Sequence, residues 1–168
     1  MAITNSNSIK KTVLPLALMF GVGRIILDLI PKLAQANSKV YYSTFLIAFV
    51  LEVIAIVYLI KKYKKKQENE LQLSEALVIG VMFMIVVGGL FAIQSYLYDT
   101  YIDTEFQKRT ALEWANLYGK SGDVEKMMNQ GDSIQQTSTL FSIFTSILKF
   151  SLIGILISFV TGSILRNK

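Results

Sequence analysis

The chain has no cysteine and no histidine, and only two of its 168 residues are proline. Without cysteine it can form neither a disulfide nor a thiolate metal site. Without histidine it lacks the commonest metal ligand and the side chain most often used as a general base near neutral pH. Zinc sites built on these residues and Ser–His catalytic triads are therefore excluded.

Charged residues are also few, and none lies between Ala76 and Tyr98. As a helix this window extends about 34 Å, which is enough to cross the ~30 Å hydrocarbon core of a bilayer. Charged residues make up 17% of the chain and hydrophobic residues 52%, with a mean hydropathy of +0.47. Soluble domains carry about 25% charged residues. The composition therefore indicates a protein embedded in lipid.

Four apolar segments are each long enough to span a bilayer as helices. They cover residues 12–30, 40–60, 73–101 and 140–165. We predict an all-α fold, in which a four-helix transmembrane bundle carries a helical extracytoplasmic connector, residues 102–139, between helices 3 and 4. The length leaves room for a single integral membrane domain over residues 1–168. Pro31 lacks an amide donor, so we expect the first helix to end there.

The placement of lysine and arginine predicts the orientation in the membrane. Residues 61–66 read Lys-Lys-Tyr-Lys-Lys-Lys and follow the second span, and basic residues concentrate in cytoplasmic loops. We therefore predict a multi-pass membrane protein with its N- and C-termini in the cytoplasm. We expect the lysine block to contact anionic lipid headgroups, and we expect no nucleic-acid partner.

The connector carries an amphipathic pattern, since its apolar residues fall within one arc of a helical wheel. These residues are Phe106, Ala111, Trp114, Leu117 and Tyr118. Thr104 is a candidate N-cap, Gly119 and Gly122 are candidate helix breakers, and a second short helix is predicted over residues 123–129. Two arrangements remain open. The helices lie over the membrane surface or the mouth of the bundle, or they form a solvated hairpin packed on itself.

Four ionisable residues fall inside the predicted spans: Arg24, Asp28, Glu52 and Lys149. A lone charge at mid-bilayer costs at least ~2.5–3.5 kcal/mol, so such residues usually face the bundle interior and pair. Counting along the helices places Arg24, Glu52 and Lys149 in one layer of the outer half, and Arg24 shares a helix face with Asp28. We predict an intramembrane charge network. It either fixes which helices are neighbours or lines a polar cavity for an ion, a proton or an anionic group.

Small residues form a stripe on each of the last two spans. The third span carries Gly88 and Ala92, and the fourth carries Ser151, Gly154, Ser158 and Gly162. Small side chains let helix backbones approach closely within a bilayer. We predict that these residues pack helices together within one chain, with a contact to a second protomer as the alternative.

The sequence contains no motif for catalysis. It has no glycine-rich nucleotide loop and no nucleophile elbow, so we expect neither enzymatic activity nor a cofactor. Asp99 and Asp103 lie four positions apart, with Glu105 just beyond, and carboxylate oxygens of this kind could hold calcium or magnesium. We favour solvated acids beside the connector and predict no metal site.

Several segments together resemble a known family. The third span opens with Leu73-Ser74-Glu75-Ala76. Near its end Tyr98 is followed by Tyr101-Ile102-Asp103-Thr104-Glu105-Phe106. The last span closes with Gly154-Ile155-Leu156-Ile157-Ser158 and Gly162-Ser163-Ile164-Leu165-Arg166. With the four spans, the lysine block and the acidic connector, this layout is similar to the uncharacterised membrane-protein family called domain of unknown function 4199, found mainly in Bacteroidota. The resemblance covers nearly the whole chain and implies a small multi-pass protein of the bacterial inner (cytoplasmic) membrane. It brings no known activity and no catalytic residues.

The absence of catalytic motifs, the outward connector and the small-residue faces favour a non-enzymatic accessory or assembly subunit of a larger membrane complex. Its expected partners are the lipid bilayer and other membrane proteins or further copies of the chain. The alternative is a small transporter or channel with a polar site at Arg24, Asp28, Glu52 and Lys149. In that case a water-filled cavity should reach these residues.

Overall fold

The computed structural model describes residues 6–120, 122, 126 and 139–166. That part of the chain contains four long helices, one short helix and no strand. They are α1 (Ser6–Leu33), α2 (Ser38–Lys66), α3 (Leu73–Tyr101), α4 (Phe106–Asn116) and α5 (Thr139–Arg166). All but α4 are long and apolar enough to cross a membrane. The predicted all-α fold with four spans and a helical connector is confirmed.

The first helix is longer than the sequence predicts. It continues to Leu33, so the prediction that it ends at Pro31 is wrong. α1 continues through Pro31 as it does through Pro15 in its interior, since each proline removes only one intrahelical amide donor. The extra residues bring Lys32 onto the face of α1 that also carries Asp28, because positions four apart share a helix face.

Two side-chain acceptors hold the start of α2. The Asn37 Oδ1 atom accepts a hydrogen bond from the Val40 amide at 3.1 Å. A carboxylate oxygen of Glu113, on α4, accepts one from the Ser38 amide at 2.9 Å. These amides are among the donors that a helix start leaves without an intrahelical partner. The bond from Ser38 therefore caps α2 and also attaches the connector helix to it.

The backbones of α3 and α5 are in close contact through small residues. A Cβ atom on Gly154 would lie 2.7 Å from the Gly80 carbonyl oxygen, and one on Gly162 would lie 2.7 Å from Ala76 Cβ. Ser158 is fully buried in the same contact. Close approach of this kind is how helices associate in lipid without a hydrophobic driving force.

The remaining predicted small residues also lie within the bundle. A Cβ atom on Gly88 would lie 2.6 Å from Phe150 Cβ, and Ala92 is buried. Ser151 is half-buried and donates its hydroxyl to the Ile147 carbonyl oxygen at 2.8 Å. These stripes therefore meet inside one chain.

The helix α4 lies at one end of the bundle, which we call the connector end; the opposite end carries residues 61–66, and we call it the lysine end. The main apolar core lies between the long helices toward the lysine end. It includes Ile9, Val13, Ile56, Ile60, Ile79 and Phe83. A smaller apolar group, formed by Tyr41, Tyr98 and Phe106, lies at the connector end.

The connector helix is held against the bundle by aromatic contacts. The Phe106 ring packs edge-on against Tyr41 at a centroid distance of 5.0 Å and against Tyr98 at 6.1 Å. The Trp114 ring lies 4.8 Å from that of Tyr42. Of the two arrangements that the sequence leaves open, α4 adopts the one over the mouth of the bundle.

The ends of α4 differ in part from the sequence prediction. Glu105, and not Thr104, occupies the N-cap position, and it makes no side-chain cap. The chain enters α4 through a tight turn in which the Phe106 amide already bonds to a carbonyl oxygen. Gly119 has φ +67°, in the left-handed region that favours glycine, as expected of a helix breaker. The second helix predicted over residues 123–129 lies almost entirely outside the described residues.

Candidate functional site

Arg24 of α1 and Glu52 of α2 form a buried ion pair. The Arg24 Nη1 atom lies 3.1 Å from Glu52 Oε1, and both side chains are only 3% exposed. The other terminal nitrogen, Nη2, is buried without a hydrogen-bond partner among the described residues. Two of the four charges predicted for a network are thus brought together. An ion pair removed this far from water fixes the two helices relative to each other, because separating them would leave a charge uncompensated.

Aromatic rings from three helices surround the Arg24 guanidinium. Its Cζ atom lies 3.9 Å from the centroid of Phe45, 5.0 Å from Phe91 and 5.6 Å from Phe150. A ring face attracts a cation, by about 2 kcal/mol or more where water is excluded. These rings belong to α2, α3 and α5. The guanidinium therefore lies where all four long helices meet.

A second charge cluster lies at the connector end. The Lys32 Nζ atom lies 2.9 Å from Asp28 Oδ2 and 3.2 Å from Asp99 Oδ1, and the Lys32 side chain is fully buried. The contact with Asp99 is a hydrogen bond, whereas the approach to Asp28 lacks hydrogen-bond alignment. Two acids therefore share one base. The Asp99 side chain is 24% exposed, so water still reaches part of the extra negative charge.

Three neutral side chains donate hydrogen bonds to the acids of this cluster. The Tyr41 hydroxyl donates to Asp28 Oδ1 at 3.2 Å. The Ser95 hydroxyl and the Gln107 amide donate to Asp99 Oδ2 at 3.1 and 2.9 Å. Because Gln107 lies on α4, the connector helix is part of the cluster and not only a cover over it.

Two rings enclose the buried ammonium group. The Lys32 Nζ atom lies 4.8 Å from the centroid of Tyr98 and 5.3 Å from that of Phe106. Phe106 is the first residue of α4 and is 1% exposed. The charge cluster and the smaller apolar group therefore stabilise the same contact between the connector and the bundle.

The two charged groups are separated by packed side chains. The gap bordered by Arg24, Asp28 and Tyr41 is too small for a water molecule. Water therefore has no route through this gap from the connector end to the guanidinium.

A larger groove reaches the ion pair from the side. It has a volume of about 260 Å³, lies between α1 and α2, and is bordered by Arg24 and Glu52 together with apolar residues such as Met19 and Leu51. Met19 and Leu51 are exposed on the outer surface of their helices. The groove consequently opens toward the space that lipid tails occupy around a membrane bundle.

Lys149 lies apart from both charged groups. Its side chain is exposed on α5 and has no ion-pair partner among the described residues. Its neighbour Phe150 faces the interior and is buried, and consecutive residues of a helix point in different directions. Counting along the helix gave its depth in the membrane but not the side of the helix on which it lies.

Sequence reasoning missed Lys32, Asp99, Tyr41 and Gln107. A signal for Lys32 was present, because Asp28 and Lys32 lie four positions apart, the spacing of an intrahelical ion pair. The expectation that Pro31 ends the helix concealed it. For Asp99 and Gln107 no local pattern was available, since their contact depends on how the chain turns after α3.

The acidic residues weighed as a cation site have different partners. Asp99 binds Lys32, while Asp103 Oδ2 lies 2.8 Å from Arg109 Nη2. The hydrogen bond that Arg109 donates to the Asp103 carboxylate raises the pKa of Arg109 above its ordinary value. Within the described part of the chain, no three candidate ligand residues are grouped closely enough to hold a metal ion.

Four long apolar helices, outward faces that are apolar apart from Lys149 on α5, and ion pairs in the interior define an integral, multi-pass membrane protein with an all-α fold. The family described as "Protein of unknown function (DUF4199)" matches residues 14–167. The chain belongs to this family, the one that its sequence motifs resemble. No curated protein and no solved structure matched the chain.

Proposed function

We propose that this protein is a non-enzymatic accessory or assembly subunit of a larger inner-membrane complex, with both termini in the cytoplasm. The observation that carries the proposal is the closure of the buried charges within the chain. Arg24 is neutralised by Glu52, and Lys32 by Asp28 and Asp99. Buried charges paired in this way hold helices in register, and they leave no buried cation for a bound substrate to neutralise.

The connector helix supplies a surface that suits a partner. Phe106 and Thr110 on the inner side of α4 are buried, whereas Trp114 near its end and Leu117 and Tyr118 in the turn that follows are exposed. Aromatic side chains are typical both of the membrane interface and of protein–protein contacts. Because α4 is fixed to the bundle, this surface is already ordered, which lowers the cost of binding.

The test is site-specific photo-crosslinking in native membranes. A benzophenone amino acid replaces Tyr118 in one variant and Phe159 in a matched control, since both positions are exposed aromatics but Phe159 lies on the apolar face of α5. We expect the first variant to give one discrete protein adduct, identified by mass spectrometry. We expect the control to give lipid adducts only.

Reciprocal purification decides whether that adduct reports a complex. The identified partner should co-purify with the tagged chain at a fixed ratio, and Leu117→Ser/Tyr118→Ser should lower its yield at least fivefold, by about 1 kcal/mol. The control Leu156→Ser/Phe159→Ser should leave the yield unchanged. Recovery of the chain alone, as a monomer in mild detergent and without a crosslink at Tyr118, would overturn the proposal.

A small transporter is the second candidate, and the groove of about 260 Å³ that reaches Arg24 and Glu52 favours it. Transport of a polar substrate requires water in that groove. Gly23→Cys, at its wall, should then react with a membrane-impermeant maleimide about as fast as Lys120→Cys in the connector. An accessory subunit predicts no reaction at position 23 under conditions that label position 120 fully.

A further inference from the structure

A groove at the lysine end combines apolar walls with three lysine side chains. It lies between α1 and α2, has a volume of about 330 Å³, and is bordered by Lys11, Lys62 and Lys66. None of the described residues that border it is acidic. We propose that this groove binds one anionic phospholipid from the adjacent leaflet. The phosphate contacts the three lysines, and an acyl chain follows the seam between the two helices.

The three lysines are available to an external anion. All three are exposed, and none has an ion-pair partner among the described residues. Lys64 of the same block instead turns inward and donates a hydrogen bond to the Leu165 carbonyl oxygen at 2.8 Å. Within the block, Lys64 therefore joins two helices, whereas Lys62 and Lys66 border the groove. Charge-assisted hydrogen bonds from several ammonium groups suit a phosphate, which offers several acceptor oxygens.

The seam between α1 and α2 gives an acyl chain a path. Met19 borders both this groove and the one beside Arg24, so the two volumes follow each other along α1. From Lys11 to Arg24 the helix rises about 20 Å, more than half of the ~30 Å hydrocarbon core. Near the far end, a Cβ atom on Gly23 would meet nothing within 4 Å. The free space thus extends through about one leaflet.

The apolar walls favour a lipid over a soluble phosphate ester. A soluble ester would satisfy the lysines but leave the seam uncovered, whereas a phospholipid satisfies both. The proposal does not depend on the accessory role, because it uses the α1–α2 face and not the connector surface.

The experiment measures retained lipid by native mass spectrometry. The full chain is reconstituted in nanodiscs of phosphatidylcholine with a minor fraction of phosphatidylglycerol, then released into mild detergent. We expect the wild type to retain one phosphatidylglycerol. Lys11→Gln/Lys62→Gln/Lys66→Gln should lower the retained ratio at least tenfold, since each basic residue near an anionic surface contributes about a fivefold effect.

A matched control changes three lysines at the same end that do not border the groove. Lys10→Gln/Lys61→Gln/Lys65→Gln removes the same charge from exposed positions. Retention should stay within about twofold of the wild type, because salt screens charges that do not touch the phosphate over about 8 Å. Equal losses in the two triple variants would overturn the proposal in favour of diffuse attraction to the surface.

Two further measurements test the acyl chain separately. Gly23→Leu fills the seam without changing a lysine, and it should lower phosphatidylglycerol retention at least threefold. Soluble glycerophosphate in excess should not displace the lipid. Wild-type retention in Gly23→Leu, or displacement by glycerophosphate, would show that no chain lies in the seam and that the phosphate alone is bound. Should the groove triple variant fail to insert, the Gly23→Leu comparison decides the proposal.

Discussion

The buried pair of Arg24 and Glu52 allows a quantitative test of how the bundle is held together. Each side chain is 3% exposed, and the charged atoms are 3.1 Å apart. The perturbations are Arg24→Met, Glu52→Met and the double variant, because methionine is unbranched and fills space of similar length. Removing one partner of a buried ion pair costs about 3–5 kcal/mol, whereas replacing both by apolar residues is often neutral or stabilising.

The two single variants should differ in cost. In Glu52→Met the guanidinium stays charged, because arginine is not deprotonated in proteins, and we expect a loss of about 4 kcal/mol in the free energy of unfolding. In Arg24→Met the remaining carboxyl group can be neutralised by a proton. There we expect a loss of about 2 kcal/mol, similar to that of the cation–π contact with Phe45 at 3.9 Å. The double variant should lie within about 1 kcal/mol of the wild type.

The measurement is reversible unfolding in mixed micelles, with dodecyl sulfate as denaturant and helical circular dichroism as the signal. Asp103→Asn is the control, since it breaks the ion pair with Arg109, which solvent reaches, and should change stability little. If the free energy of unfolding of the double variant falls by the sum of the two single losses, Arg24 and Glu52 are not energetically coupled, and the ion-pair argument is refuted. A larger loss for Arg24→Met than for Glu52→Met would refute the neutralisation argument.

Two further comparisons use the same unfolding measurement. Gly154→Ala should cost about 1–3 kcal/mol, because its Cβ would lie 2.7 Å from the Gly80 carbonyl oxygen. Gly23→Ala, whose Cβ would meet nothing within 4 Å, should be neutral or stabilise by up to about 1 kcal/mol, and equal effects at the two sites would contradict the packing. Lys32→Met should cost about 2 kcal/mol, because a proton can neutralise the carboxyl group of Asp28 that is left behind, while the contacts of the ammonium group with the Tyr98 and Phe106 rings are lost. Lys149→Met should leave stability unchanged or raise it, because it removes an exposed and unpaired charge from a span; a loss of stability would show that Lys149 belongs to the buried network.

The helices that cross the membrane could be predicted because lipid imposes a simple rule on composition. The third span runs over residues 73–101 in both the prediction and the structure, since polar residues mark both of its ends. The first span was predicted too short. Its limit was set by Pro31, yet α1 contains both Pro15 and Pro31, so the loss of a single amide donor did not end this helix.

The candidate site could be predicted only in part, because sequence spacing gives depth and not direction. Arg24 and Glu52 were placed in one layer, and they do form an ion pair. Lys149 was placed in the same layer, yet α5 turns it outward because Phe150 takes the inward position. The rotation of a helix about its axis is set by packing against its neighbours. On α5 the stripe of Gly154, Ser158 and Gly162 faces α3, and this stripe, not the depth of Lys149, indicated which side of the helix faces inward.

The contact between α3 and α5 and the contact between α1 and α2 are built differently, and the grooves lie beside the second. Between α3 and α5 the contact at Gly80 and Gly154 is so close that even a Cβ atom would clash. Between α1 and α2 the central contact is the ion pair of Arg24 and Glu52, so two long side chains stand between the backbones. Lipid supplies no hydrophobic force that would close the remaining space. The Arg24–Glu52 ion pair therefore holds α1 and α2 at a distance that leaves free volume between them. This volume is the two grooves along the α1–α2 seam.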